Sequence, residues 1–370
     1  DFGSTLDAAR GASAFTDQIV PWLGNSGGEL RIINSSADTA LVNVRFTNSR
    51  GDTVGSVPAN LNANSGIRLS TSNFVFQGGG NLTARVTSDV SVVVQALVET
   101  NGSLVLVNGQ SVSTGATFRS APHVILGNGF DSTLILANPT GQAVTVSVMF
   151  FNENGGPAHR SLIAPLEQHL TIPANGSVSV GAVPLTGLLI APAVNGWIEV
   201  TSPNVPLGAL LVIAQSVNRT AYPLQTESLN RAFYPRLSEG QELLTGLVLV
   251  NPRPVSTSVA VKLVDSEGFT ISSSRIELAA NSKQTSYVSQ ILPGFDLSES
   301  GMLMLESSGV YGLEIIGNEA GGLLAAVEPQ FLVPDFEPKP SRVRPKLVNV
   351  SPLEGRSGDS IRIRTMNAGD

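Results

Sequence analysis

The chain of 370 residues contains no cysteine. Disulfide frameworks, thiolate metal sites and cysteine nucleophiles are therefore excluded, and the redox compartment cannot be read from cross-links. Charge is also sparse: Asp, Glu, Lys and Arg make up 14 % of the residues and the net charge is −7. A phosphate backbone is bound through clustered Lys and Arg, so nucleic acid is not an expected partner. Histidine occurs only at His123, His159 and His169. Glu153 and Glu167 lie near the last two, but no His-x-x-x-His spacing and no Asp-x-Asp-x-Asp-Gly run is present, and neither a metal nor another cofactor is expected. The most apolar stretch, "VPLTGLLIAPAV" at 183–194, is interrupted by Pro184, Gly187 and Pro192. It falls short of the ~20 residues of a membrane-spanning helix, and no transmembrane segment is expected. Residue 1 is Asp and no basic stretch leads into an apolar one. Any signal peptide is expected to have been removed or left out.

What the chain does have points to sheet. Hydrophobic residues make up 42 %, enough to fold, and the length corresponds to two to four domains of roughly 100–200 residues. Glycine (37 residues) is joined by plentiful Ser, Thr, Asn and Val. That mixture favours short strands and tight turns, hence an all-β fold.

Three segments align without a gap: "LRIINSSADTALVNVRFTNSRGDTV" (30–54), "LILANPTGQAVTVSVMFFNENGGPA" (134–158) and "LVLVNPRPVSTSVAVKLVDSEGFTI" (247–271). In each, an Asn (Asn34, Asn138, Asn251) stands 17 positions before a Gly (Gly51, Gly155, Gly268). Upstream of the Asn, Leu30/Ile32, Leu134/Leu136 and Leu247/Leu249 lie two apart and share one face of a strand. Downstream, Ala40/Val42/Val44/Phe46, Val144/Val146/Val148/Phe150 and Thr257/Val259/Val261/Leu263 alternate with mixed residues, the pattern of a strand with one face on a core. The Asn then reads as the turn between two antiparallel strands. A second Asn column (Asn64, Asn175, Asn281) marks another turn. Two further strands per copy follow, "ARVTS", "IEVTS" and "LMLES", then the apolar runs at 90–98, 205–214 and 310–316. About seven strands per ~100 residues has the size and spacing of an immunoglobulin-like sandwich, with a barrel of the same strand count as the competing architecture.

Past the third copy, "EPQFLVPDFEPKPSRVRPK" (328–346) reads as an extended, semi-rigid spacer. The tail "PKLVNVSPLEGRSGDSIRIR" (345–364) resembles the first two strands of the bacterial IPT/TIG immunoglobulin-like domain, on Pro345, Val348/Val350, Pro352, Gly355, Gly358 and Ile361/Ile363. The three full copies likewise resemble the tandem immunoglobulin-like repeats of secreted and surface proteins in bacteria. The expected division is three immunoglobulin-like repeats at 1–116, 117–228 and 229–330, a Pro-rich linker at 331–345, and the start of an IPT/TIG-like domain at 346–370.

Several motifs invite a functional reading. "WLGNSGGE" (22–29) resembles the surroundings of the nucleophile in trypsin-like proteases, which would make Ser26 catalytic. A serine attacks a carbonyl only with a base and an oxyanion site beside it. All three histidines lie downstream of Ser26, whereas the trypsin-like order is His, Asp, Ser. Ser26 is therefore read as part of a Gly-rich connection, and no catalytic residue is assigned. Arg50-Gly51-Asp52 is the tripeptide recognised by integrins, placed at a hairpin tip, and is the one candidate adhesive site. Gly51 also belongs to the repeat column, where a turn wants a residue tolerant of positive φ, so a turn is the better account. Trp22 and Trp197 read as core or inter-domain packing.

These features lead to a non-catalytic extracellular or cell-surface structural or adhesion protein of bacterial type. Its partners would be a protein or glycan surface, or other copies of itself in a filament assembled by strand addition. An accessory region of a larger secreted hydrolase is the alternative from another class.

Overall fold

The computed structural model describes residues 14–24, 28–75, 81–100, 103–113, 115–156, 167–182, 194–235, 243–294, 300–318, 323–331, 338–340, 346–351 and 362–366. Period-two burial organises them: Leu30, Ile32, Leu134, Leu136, Leu247 and Leu249 are each at most 1 % exposed, and the Val42/Val44/Phe46 series and its counterparts also point inward. The fold is all-β, built from several antiparallel sheets.

The strands fall into three successive groups of eight. The first comprises β1 (Phe15–Val20), β2 (Gly28–Asn34), β3 (Ala40–Thr47), β4 (Thr53–Leu61), β5 (Ser65–Ser70), β6 (Thr83–Thr100), β7 (Ser103–Asn108) and β8 (Gln110–Ser111). The second comprises β9 (Ala116–Leu126), β10 (Phe130–Ala137), β11 (Val144–Asn152), β12 (Glu167–Ile172), β13 (Ser177–Gly181), β14 (Val194–Val205), β15 (Gly208–Gln215) and β16 (Asn218–Pro223). The third comprises β17 (Leu229–Tyr234), β18 (Leu243–Asn251), β19 (Thr257–Asp265), β20 (Thr270–Leu278), β21 (Ser282–Tyr287), β22 (Ser300–Asn318), β23 (Leu323–Val327) and β24 (Gln330–Phe331).

Pairing repeats from group to group. In the second, β12-β11-β14-β9 form one sheet and β13-β10-β15-β16 the other. The first and third groups have the same two orders, with β6 and β22 each long enough to serve both sheets. The expected separate strands at 84–88 and 90–98, and their counterparts in the third copy, are thus single strands. In the second group Pro206 falls between β14 and β15 and divides the equivalent strand, because proline has no N–H to give to a ladder.

The first Asn column also differs from expectation. The strands before and after it lie in different sheets, so the connection is an arch across the core and not a hairpin turn. Asn34, Asn138 and Asn251 are fully buried. Asn138 Nδ2 donates to Gln142 O (2.6 Å) and Pro173 O (3.1 Å), while its Oδ1 accepts from Thr140 N (2.9 Å). Asn34 and Asn251 make the corresponding bonds. A buried backbone carbonyl needs a donor, and one amide here supplies two strand ends at once. The second Asn column does form turns: Asn64, Asn175 and Asn281 adopt φ of 52°, 53° and 47°.

At the C-terminal end, β25 (Lys346–Ser351) and β26 (Arg362–Met366) form an antiparallel pair. Most of the Pro-rich stretch 331–345 lies outside the described residues. Within it, Lys339 lies along the β19–β20 turn, its N–H donating to Gly268 O (2.8 Å).

Candidate functional site

The candidate residues are scattered over the fold. Ser26 and His159 lie outside the described residues. His169 sits on strand β12, and its Nδ1 is 3.0 Å from Ser147 Oγ. No cluster of three metal-ligating side chains occurs among the described residues. Trp22 follows β1 in the core of the first group, while Trp197 packs with Val250 and Tyr311 of the third.

Arg50, Gly51 and Asp52 stand at the β3–β4 tip, with the Arg50 and Asp52 side chains exposed and the backbone at Gly51 against the second group. Arg50 Nε and Asp52 Oδ2 are 3.1 Å apart, and Asn48 Oδ1 accepts from the N–H groups of both residues. Asn48 Nδ2 also donates to Asp52 Oδ2 (3.0 Å), and this bond, followed by that from Arg50, holds the exposed Asp52 carboxyl below its ordinary pKa. Gly51 has φ of +91°, and a Cβ there would meet Ala174 O of the second group at 1.9 Å. Glycine is required twice over, by backbone conformation and by close approach.

That close approach belongs to a joint that occurs twice. At the first joint Ser177 N donates to Ser49 O (3.0 Å) across the groups; at the second Lys283 N donates to Glu153 O (2.9 Å). Gly155 repeats the role of Gly51, with Asn281 O 1.8 Å from a hypothetical Cβ. Beside each tip a glutamine side chain grips a backbone. Gln110 Nε2 donates to Ala209 O (3.0 Å) and Gln110 Oε1 accepts from Ala209 N (2.9 Å). Gln225 does the same to Gly312, accepting from its N–H at 3.2 Å and donating to its carbonyl. Between these polar contacts lies an apolar face. The cross-strand pair Ile135/Leu210 of the second group enters the core of the first, and Val248/Leu313 of the third enters that of the second. Burying one such side chain contributes about 1.5–3 kcal/mol.

Charged groups are also built into the joints. Arg85 reaches across to Pro139 O (3.0 Å) and is held by Asp17 at 2.6 Å, which raises its pKa. At the second joint Lys283 Nζ lies 2.9 Å from His123 Nδ1, donates to Gly196 O at 2.7 Å, and bonds Asn195 Oδ1. Burial lowers Lys283 to about 7, against a smaller opposing effect of Glu153. Burial, with Lys283 adding to it, takes His123 well below the usual histidine range. A cleft of about 360 Å³ opens beside this cluster, lined by His123, Asn195, Leu244, Thr285, Tyr287 and Asn318 among others. Lys283 is outside that lining and its three donor directions are already taken. The arrangement is that of a fastening between strands, with no free amine facing the cleft. Within the second group, buried Arg119 bonds Ala116 O, Ser202 Oγ and Val205 O, and burial lowers its guanidinium to about 10.

No protein-family model and no curated protein matches the chain. Among solved structures, the crystal structure of Bacteroides uniformis β-glucuronidase is similar at 10 % identity and a TM-score of 0.14, over 57 % of this chain and 25 % of that one. A glycosyl hydrolase family 2 member from Bacteroides cellulosilyticus is similar at 14 % identity and a TM-score of 0.12, over 54 % and 24 % respectively. The chain thus spans about a quarter of the length of each. At these scores the likeness carries no functional argument.

Proposed function

We propose that the chain is a non-catalytic extracellular or cell-surface structural protein of bacterial type, a spacer made of three stacked immunoglobulin-like sandwiches. Residues 331–345 act as its Pro-rich linker and 346–370 begin a further IPT/TIG-like domain. The shared long strand is a departure from the immunoglobulin order, in which the central strands of the two sheets are separate. The observation that carries the reading is the recurrence of one joint: tip in turn, glutamine on backbone, apolar face on core. A repeat array whose neighbours dock in the same way holds a fixed rise and rotation per repeat and transmits position along its length. Chemistry has no comparable support, since the buried Lys283 amine is taken up by His123, Asn195 and Gly196.

Small-angle X-ray scattering tests the proposal directly. An elongated particle of fixed cross-section is expected, and Gln110→Ala with Gln225→Ala should broaden its distribution of lengths. A particle that behaves as independent beads on flexible tethers, unchanged by both substitutions, would refute the spacer reading. Electron microscopy of the same sample distinguishes dispersed rods from fibres.

A further inference from the structure

The glutamine at the end of each group occupies one register. Gln110 stands opposite Ile19, Gln225 opposite Ser120 and Gln330 opposite Phe233, at equivalent places in their sheets. The first two grip the following group. Among the described residues nothing bonds the Gln330 amide. The tips show the same break in the series. Where Gly51 and Gly155 meet carbonyls of the next group, Gly268 keeps the same backbone conformation, φ +86°, with nothing within 4 Å of a Cβ position. Lys339 lies along this tip, through Gly268 O, Thr270 N, Glu267 O (accepting from its Nζ at 3.0 Å) and the Phe269 ring at 4.7 Å, and leaves the Cβ side of Gly268 open.

The opposite end of the array has different chemistry. The cross-strand pair that is Ile135/Leu210 and Val248/Leu313 in the second and third groups is Arg31/Gln95 in the first. Arg31 is ion-paired with Glu29, which also lies 3.8 Å from Arg68. Gln95 is buried and bonded to Asn108, and Arg31 is only partly exposed, so a polar pair already covered within the chain stands where the other groups carry an apolar one; terminal repeats close an array with a polar face. The first group therefore lacks the apolar face that a follower needs.

Resting on the stacked-spacer reading, we propose that Gln330 and the Gly268 tip form a docking site for a fourth repeat of this same construction. The occupant presents an apolar outer sheet face and a strand residue of Ala209 or Gly312 type to the Gln330 amide. A second copy of this chain, offering its Arg31/Gln95 face, is not that occupant.

The probe is the full chain with residues 226–330 repeated once after Gln330, which recreates the native spacing from clamp to follower. Because the chain has no cysteine, paired spin labels can be placed without background. Gln142→Cys with Val255→Cys reports the native second joint, both positions being exposed and equivalent in their groups. Val255→Cys in the third repeat and in the inserted one reports the new joint. Docking predicts the same narrow distance distribution for both pairs, with the narrow peak of the new pair lost in Gln330→Ala. A broad new distribution beside a narrow native one overturns the assignment and leaves the spacer reading standing, as does a narrow peak that survives Gln330→Ala. A broad native distribution overturns the spacer reading itself. Sedimentation of the unaltered chain should show a monomer; head-to-tail association abolished by Gln330→Ala would instead put a second copy in the site and refute the choice of occupant.

Discussion

Gln110 and Ala209 face each other as an amide against a peptide, each giving one hydrogen bond and taking one, at 3.0 and 2.9 Å. At neutral pH no other side chain of this length offers a donor and an acceptor in one plane. Gln110→Ala should lower the stability of the first joint by about 1–3 kcal/mol, for two neutral hydrogen bonds that become unsatisfied. Gln110→Glu keeps the shape and loses the donor at neutral pH, setting a carboxylate against the Ala209 carbonyl. It should therefore be the more damaging of the two in denaturant titrations at pH 7 and recover toward wild type in acid, where the protonated carboxyl can donate again.

The three tip glycines separate backbone strain from steric exclusion. All have positive φ, so replacement by Ala costs each about 1–2 kcal/mol. Gly51 and Gly155 carry an additional clash with a carbonyl of the next group, whereas Gly268 has open space. Gly51→Ala and Gly155→Ala should thus lower the melting temperature more than Gly268→Ala and should also loosen their joints in scattering. Equal effects at all three positions would mean that the close approach at the joints is absent in solution.

The buried Asn column makes a stability prediction of its own. Asn34, Asn138 and Asn251 each close an arch by donating to carbonyls from two separate stretches of chain. Each Asn→Ala substitution leaves those carbonyls buried without a donor and should cost about 2–4 kcal/mol by chemical denaturation. The same bonds use up the amide nitrogen of Asn34, the first residue of an Asn-x-Ser sequence. Glycosylation there in the folded chain should be undetectable by mass spectrometry.

Strand positions were legible because side-chain alternation is local: Val42, Val44 and Phe46 carry their facing in their spacing. The role of Asn34 was less so, since a spacing of 17 residues to Gly51 does not reveal which sheet each flanking strand joins. Gln110, Gln225 and Gln330 keep no common spacing from the Asn column, because the groups differ in length between that column and the clamp. Their shared signal is a Gln just after each group's last long strand, visible only once the pairing with Ile19, Ser120 and Phe233 is known. His123 and Lys283, 160 residues apart, have no local signature at all. The one hint was a lysine at the position held by Gly66 and Ser177 in the other copies.

That pair makes the stability of the joint depend on pH. Unfolded Lys283 titrates near the ordinary lysine value of about 10.4, whereas burial lowers the folded value to about 7. Between these values the unfolded chain holds more protons than the folded one, so stability should rise with pH from about 7 to 10, by a few kcal/mol at most. Below pH 7 both states carry the lysine charge and its burial penalty is present in full. His123, lowered well below its usual range by burial and by Lys283, works in the same direction on the acid side. The folded state resists its protonation, and stability should fall as pH drops below about 6.5. Lys283→Met should flatten the alkaline rise and His123→Gln should reduce the acid loss, each read as the difference from wild type in urea midpoints across pH 5–10. A Lys283→Met variant with an unaltered rise between pH 7 and 10 would show that the amine titrates normally and is not enclosed between the strands at the second joint.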